Sequence, residues 1–392
     1  MTEDGPPRVG GRRFLPWWAA VFALALVTRL AYLLLVDEPI RYTDQYFYLF
    51  GGLRLAGDPH PLHLILTSDE WRLWGGRWTI APLYYLFVAA VLRATGSSLF
   101  ALQAVQCVLG ALTAVAVGAL GREAGGARGA WAGAVYAVYW PAIEMTQRVL
   151  TENLHVPILI AALALVARAA RRGAAGEAAA SGAVLALSAL ARSVSSSFVP
   201  IAAWIVRQPP GARGRWKPSL ALLAAAAAVI LPWSARNLLG TGSLAPIESL
   251  WAYNILRDNA FQHLPKYQEE FFFQSKKPSE AARIAPRFLA REIASNPWGL
   301  VEKIEANFGK VARAEGLHMW LDVEREAPPW LLFASVAADD LVLFVAVPLF
   351  GVFALAGTGG ARRTIVLWTA YYVFMVAVVF HVETRYRSAL VP

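Results

Sequence analysis

The sequence predicts an all-α integral membrane protein with about ten transmembrane helices and two extracytoplasmic loop regions. Two observations carry this. Hydrophobic residues make up 57% of the chain and charged residues 16%, with a mean hydropathy of +0.45, shares that lie outside those of soluble domains. Apolar stretches long enough to cross ~30 Å of hydrocarbon also recur along the whole chain. The candidate spans are 14–36, 78–94, 99–120, 130–146, 150–168, 180–206, 219–235, 341–357 and 364–382.

The first span follows "RVGGRR" and precedes no small-residue cleavage pattern, so it reads as a retained anchor. Its basic flank keeps the amino terminus in the cytoplasm. Arg122, Arg128, Arg168, Arg171, Arg172, Arg207, Arg213, Arg215, Arg362 and Arg363 lie in short connections between spans. Positive-inside orientation therefore accounts for the net charge of +9, and no nucleic-acid partner is needed. Cys107, the one cysteine, lies in an apolar run, which excludes a disulfide framework and a thiolate metal cluster.

Three units follow. Residues 1–236 form an amino-terminal membrane module with a first external loop at 37–77, residues 237–340 a second external loop region, and residues 341–392 the carboxy-terminal spans. Within the second loop, 278–295 reads as a helix. Another starts with Asn296 as cap and Pro297 at its first position and closes at Gly316. Placing every basic loop inside requires 78–120 to cross an odd number of times and 180–206 an even number. Yet 78–120 reads as two spans, and 180–206 is long for one and short for two. Either a piece of each is re-entrant or interfacial, or the loops 121–129 and 169–179 break the positive-inside trend.

The polar residues that interrupt this pattern are the candidates for chemistry. Asp44, in "RYTDQYFYLFGGLRLAG", opens a short amphipathic helix from about Gln45 to Ala56. Thr43 or Asp44 is its cap, or Asp44 is a carboxylate held at the membrane edge where reduced water access tunes a base. Glu152, in "LTENL", is a first-turn glutamate favoured by the helix dipole, or a second acid beside Asp44. Arg192 lies inside an apolar stretch, where a cation costs about 2.5–3.5 kcal/mol on insertion scales. It calls for a carboxylate, a phosphate or water, and the serines after it suggest a polar pocket or a helix break. Asp339 and Asp340 read as a cap at the outer boundary of 341–357. Arg236, Arg385 and Arg387 sit at outer span ends against the positive-inside trend, which a phosphate-bearing ligand explains. Asp58, His60 and His63 form a weak metal-ligand pattern.

In order along the chain, the first-loop acid, "RWTIAPLYYLFVAAVLRATG", "GREAGGARGAWAGAVYAVYWPAIEMTQRVLTENL", "ALSALARS", "LPWSARNLLGTGSLAPIESLWAYN" and "ETRYR" resemble the bacterial membrane glycosyltransferases of the GT-C superfamily. The relevant members are those related to protein O-mannosyltransferases and lipid A aminoarabinose transferase. The resemblance implies a GT-C-like fold in the bacterial cytoplasmic membrane, with its active site facing outward. It implies transfer of a sugar from a polyprenyl-phosphate donor to a lipid, glycan or protein acceptor. Asp44 then falls on the catalytic base, Glu152 on a second acid of the site, and Arg192 on a residue that helps with the carrier phosphate. The family often has an acidic pair in the first loop where this chain has "TDQ", which leaves a divalent metal open as a cofactor. It usually continues with further spans after "RYR", so a chain stopping at Pro392 is expected to be a fragment. A multi-span transporter or lipid-linked sugar flippase is the rival reading, set against it by the absence of repeated halves and by acids gathered at one membrane edge.

Overall fold

The computed structural model describes residues 15–36, 40, 43–61, 63, 72–73, 78–207, 216–241, 245–259, 278–312 and 359–379. The fold is all-α, apart from a two-residue antiparallel pair, β1 (Arg72–Leu73) and β2 (Trp78–Thr79). Among the described residues, four helices are long and apolar enough to cross a membrane: α1 (Leu15–Leu35), α4 (Leu99–Gly129), α7 (Glu152–Arg172) and α10 (Trp216–Thr241). Between α1 and α4 lie α2 (Thr43–Gly57) and α3 (Leu83–Ala94). Between α4 and α7 come α5 (Trp131–Val138) and α6 (Trp140–Met145). Next are α8 (Ala175–Ala191), a 3₁₀ turn Ser193–Phe198 and α9 (Val199–Arg207). Beyond α10 follow α11 (Leu250–Asp258), α12 (Pro278–Ser295), α13 (Pro297–Ala312) and α14 (Gly360–Phe374), which ends in a π turn, Met375–Val379.

The two ambiguous regions resolve by geometry. The expected span 78–94 is instead the 12-residue α3, about 18 Å long and too short for the hydrocarbon core. It lies along α2, where Gly51 and Gly52 leave room for Tyr85 and Val88 and Arg93 Nη1 donates to the Asp58 carbonyl at 2.9 Å. Of the two helices in 78–120, α4 alone is long enough to span. The run 180–206 turns back on itself. Gly182 packs against the Leu222 carbonyl of α10, and Ser219, one turn earlier on α10, donates to the Ala203 carbonyl at 2.6 Å. Residues 182 and 203 therefore stand at similar levels, with the turn at Arg192 between them. One helix of spanning length and a hairpin match the odd and even counts.

The expected span 130–146 is broken. Tyr139 is extended (φ −69°, ψ 113°) between α5 and α6, and Pro141 has no N–H to return to the Ala137 carbonyl. Arg29, fully buried in α1, fills that vacancy: its Nη1 donates to the carbonyls of Ala137 (3.1 Å) and Ala25 (3.0 Å), and Thr28 adds a bond to Ala137 at 3.0 Å. Gly110 makes room, since a side chain there would overlap the guanidinium.

Charge divides the bundle into two ends. At one, Arg171 pairs with Glu123, Arg172 with Glu177, Arg362 Nε donates to the Ala124 carbonyl at 3.0 Å, and Arg207 lies 3.6 Å over the Trp216 ring. The start of α1 is at this end too, with Trp17 against Trp131 at 4.5 Å. At the core, α7 packs on α8, α9 and α14 through Leu159, Leu163, Leu185, Ala202 and Trp368.

In the second loop region, Asn296 caps α13 as expected, accepting from Gly299 N at 3.0 Å. The expected close at Gly316, the span 341–357, and Asp339 and Asp340 lie outside the described residues. From α13, Lys303 Nζ reaches the end of the π turn, donating to the carbonyls of Val378 (3.0 Å) and Val379 (3.2 Å) and to Asn259 Oδ1 (2.7 Å). Burial lowers the Lys303 ammonium to about 8, with Asp258 opposing the shift. The unfolded chain, with the ordinary value of 10.5, holds this proton where the folded chain has shed it. Stability from this group therefore rises with pH between about 8 and 10.5. The thermal midpoint of the wild type relative to Lys303→Met is expected to climb across that window. A flat or falling difference contradicts the buried, cation-bearing geometry.

Candidate functional site at the end opposite the basic loops

The segment 145–151 delivers Glu152 and is wrapped by amide side chains from three elements. Gln106 of α4 donates to the carbonyls of Thr146 (2.9 Å) and Arg148 (3.2 Å). Asn153 of α7 donates to those of Met145 (2.9 Å) and Arg148 (2.6 Å). Gln45 of α2 accepts from Val149 N at 3.1 Å. A buried Glu144–Arg148 pair braces the same turn. The carbonyls of Met145, Thr146 and Arg148 and the N–H of Val149 thus find side-chain partners, as a buried turn requires.

Glu152 is the first residue of α7, and its side chain is 2% exposed. It forms an ion pair with Arg192 and accepts from Thr151 Oγ1 at 3.1 Å. Arg192 stands at the break itself, extended at φ −153°, ψ 117°, between α8 and the 3₁₀ turn. The break is tied on every side. Ser193 donates to Glu248, Tyr371 of α14 to the Val194 carbonyl, and Ser195 meets both His155 Nε2 (2.9 Å) and Ser188 Oγ (3.0 Å). Helix breaks of this kind persist at membrane depth only where protein satisfies the freed groups. Arg192 keeps 21% of its side chain exposed, so it is the less buried partner of the pair.

The expected residues are therefore partly assembled. Asp44 lies in the first turn of α2, one position after the start of the helix, and acts electrostatically on the Tyr85 hydroxyl. Tyr48 packs edge-to-face on Tyr84 at 5.1 Å and tilted on Tyr85 at 5.0 Å, and Tyr84 in turn lies within electrostatic reach of Glu152. The Gln45–Val149 bond pins this turn three residues from Glu152. Glu152 reaches the same end as Asp44, but its carboxylate is engaged by Arg192. Arg236 is buried, 5.0 Å over the Trp233 ring, rather than spread on an outer surface. Arg385 and Arg387 lie outside the described residues. Asp58, His60 and His63 do not converge as metal ligands. Asp58 instead accepts from His60 N at 2.6 Å to close a turn.

Sequence reasoning missed Glu248, Arg29 and the His155–Ser195–Ser188 chain. Arg29 stands inside the first apolar run, so the argument that singled out Arg192 applies to it equally. Glu248 carried no such signal, being an acid within a polar loop. Burial raises its carboxyl above the ordinary range, opposed by Ser193, Arg192 and the Ala81 backbone.

Comparison with known proteins bears out the resemblance over one stretch of the chain. Residues 80–235 match the sequence model of a family described as dolichyl-phosphate-mannose-protein mannosyltransferase. The matched stretch, about two fifths of the chain, is thus similar to that family and carries both Glu152 and Arg192. Among curated proteins no sequence matches the chain.

Removing one partner of a buried ion pair strands the other, at a cost of about 3–5 kcal/mol. Arg192→Met is expected to destabilise the protein by that amount, and Glu152→Gln with Arg192→Met together by clearly less. Thermal or denaturant unfolding of the set in one detergent measures this. Additive losses contradict the pairing.

Proposed function

We propose that the protein moves a sugar from a polyprenyl-phosphate donor to a hydroxyl or amine of a lipid, glycan or protein acceptor. The reaction takes place at the extracytoplasmic face of a bacterial cytoplasmic membrane. The observation that carries this reading is the joining of Asp44 and the Glu152–Arg192 pair at one end of the bundle, opposite Arg171, Arg172, Arg207 and Arg362. By the positive-inside trend the basic end is cytoplasmic, so the site end faces outward.

The chemistry follows from what each group can do. A sugar on a lipid phosphate carries its own leaving group, so one base for the acceptor and cations for the departing phosphate suffice. Asp44 takes the acceptor proton as the acceptor attacks the anomeric carbon. The bond from that carbon to the phosphate oxygen breaks, and polyprenyl phosphate leaves. The Arg192 guanidinium meets the phosphate, with Arg236, Arg385 and Arg387 as further cations. Glu152 acts through Arg192, holding it in place. The aromatic face of α2, where Tyr46 and Phe50 are exposed and stacked at 6.0 Å, rests in the lipid interface beside the site.

The test is sugar transfer by purified protein in lipid from a panel of polyprenyl-phosphate sugars, with Asp44→Asn beside the wild type. Loss of a general base lowers turnover by about 10²–10⁴-fold, and donor binding is expected to survive. Equal turnover in both proteins removes Asp44 from the chemical step. Carrier movement across the bilayer without transfer supports the flippase instead.

A further inference from the structure

We infer that Glu248 is a positioning residue of this site, whose carboxyl holds Ser193 and so fixes the extended turn that presents the Arg192 guanidinium. Its consequence for catalysis rests on the reading of Arg192 as a phosphate ligand. Glu248 belongs to no helix, yet its segment is strapped to α10. Trp233 Nε1 donates to the Ile247 carbonyl at 2.8 Å, Ser234 Oγ to that of Pro246 at 2.6 Å, and Asn237 Nδ2 to those of Ala245 (3.1 Å) and Ile247 (3.0 Å). All three donors come from "PWSARN", so one turn of α10 serves as a rigid cradle for residues 245–248.

The carboxyl that this cradle holds accepts the hydroxyl of Ser193, the residue directly after Arg192, and lies within electrostatic reach of Arg192 itself. The guanidinium is thus set between two acids on different elements, Glu152 bonded to its tip and Glu248 bonded to its neighbouring residue. Other ties on the turn come from Tyr371, His155 and Ser188. Glu248 alone among these carries an acid, and it alone is presented from a non-helical segment. A fixed backbone at position 193 limits how far the long arginine side chain can swing from Glu152. Preorganisation of this kind strengthens a cation aimed at a departing phosphate, because no reorganisation is needed as charge develops.

The experiment is labelling of the full chain in lipid nanodiscs with phenylglyoxal, an arginine-directed dicarbonyl, with modification at Arg192 read by peptide mass spectrometry. Arg207, at the opposite end, is the internal reference. Glu248→Ala and Ser193→Ala are each expected to raise the Arg192 rate at least fivefold with Arg207 unchanged. Glu248→Gln, which retains an oxygen for the Ser193 hydroxyl, is expected to stay within twofold of wild type. An unchanged Arg192 rate in Glu248→Ala overturns the inference, as does a Gln variant that labels as fast as the Ala variant. If Glu248→Ala also changes Arg207, its fold is disturbed and Ser193→Ala decides. In the transfer assay, Glu248→Ala is expected to raise the donor KM more than it lowers kcat, and Glu248→Gln to restore it. A wild type that transfers no sugar defeats the proposed function, while the Arg192 labelling still decides the role of Glu248.

Discussion

Taking a carboxylate and a guanidinium out of water costs several kcal/mol for each ion, and their attraction offsets this only when geometry and further hydrogen bonds are good. The Glu152–Arg192 pair meets that condition, and much of the surrounding structure exists to meet it. Glu152 opens α7, where the helix dipole favours an anion. Arg192 closes α8, where it favours a cation. Bringing those two helix ends together forces the chain to break at Arg192 and to turn sharply before Glu152. Both irregular stretches are then secured by side chains from neighbouring elements, among them Gln45, Gln106, Asn153, His155 and Tyr371.

The same economy explains why the interior can be so rich in small residues. In lipid there is no hydrophobic force between helices, so association depends on close packing and on interhelical polar contacts. Gly133 sits against the Ala114 carbonyl, Gly182 against that of Leu222, and Gly121 against Gly129. These approaches leave large apolar side chains, such as Val27 at 63% and Leu34 at 70% exposure, to face outward where a bilayer would meet them. Arg29 adds the polar contact: it takes the carbonyl that Pro141 cannot pair, and so lets a broken helix cross beside α1.

Hydropathy made the long helices legible because their apolar runs exceed the hydrocarbon thickness. It could not distinguish α3, whose aromatic and aliphatic residues are as apolar as a span but are used to pack α2 along the bundle end. It also sums composition without regard to backbone continuity, so it passed over the break at Tyr139, although Pro141 was the signal for it. The break at Arg192 was legible, since a cation amid apolar residues demands a partner. The identity of that partner was not, because Glu152 is 40 residues away in sequence. The Gln45–Val149 contact, which places Asp44 near Glu152, spans 104 residues and leaves no periodic trace. Glu248 was hidden for the opposite reason, being one polar residue among many in its loop.

The central claim is that the Glu152–Arg192 break is where the carrier phosphate binds. Determining the structure of the full chain in lipid with a polyprenyl phosphate bound tests it most directly. The account predicts the phosphate on the Arg192 guanidinium, with Glu152 still paired behind it and Asp44 facing the position of the sugar. A phosphate lodged between helices at mid-membrane, or among Arg171 and Arg207 at the basic end, would contradict it.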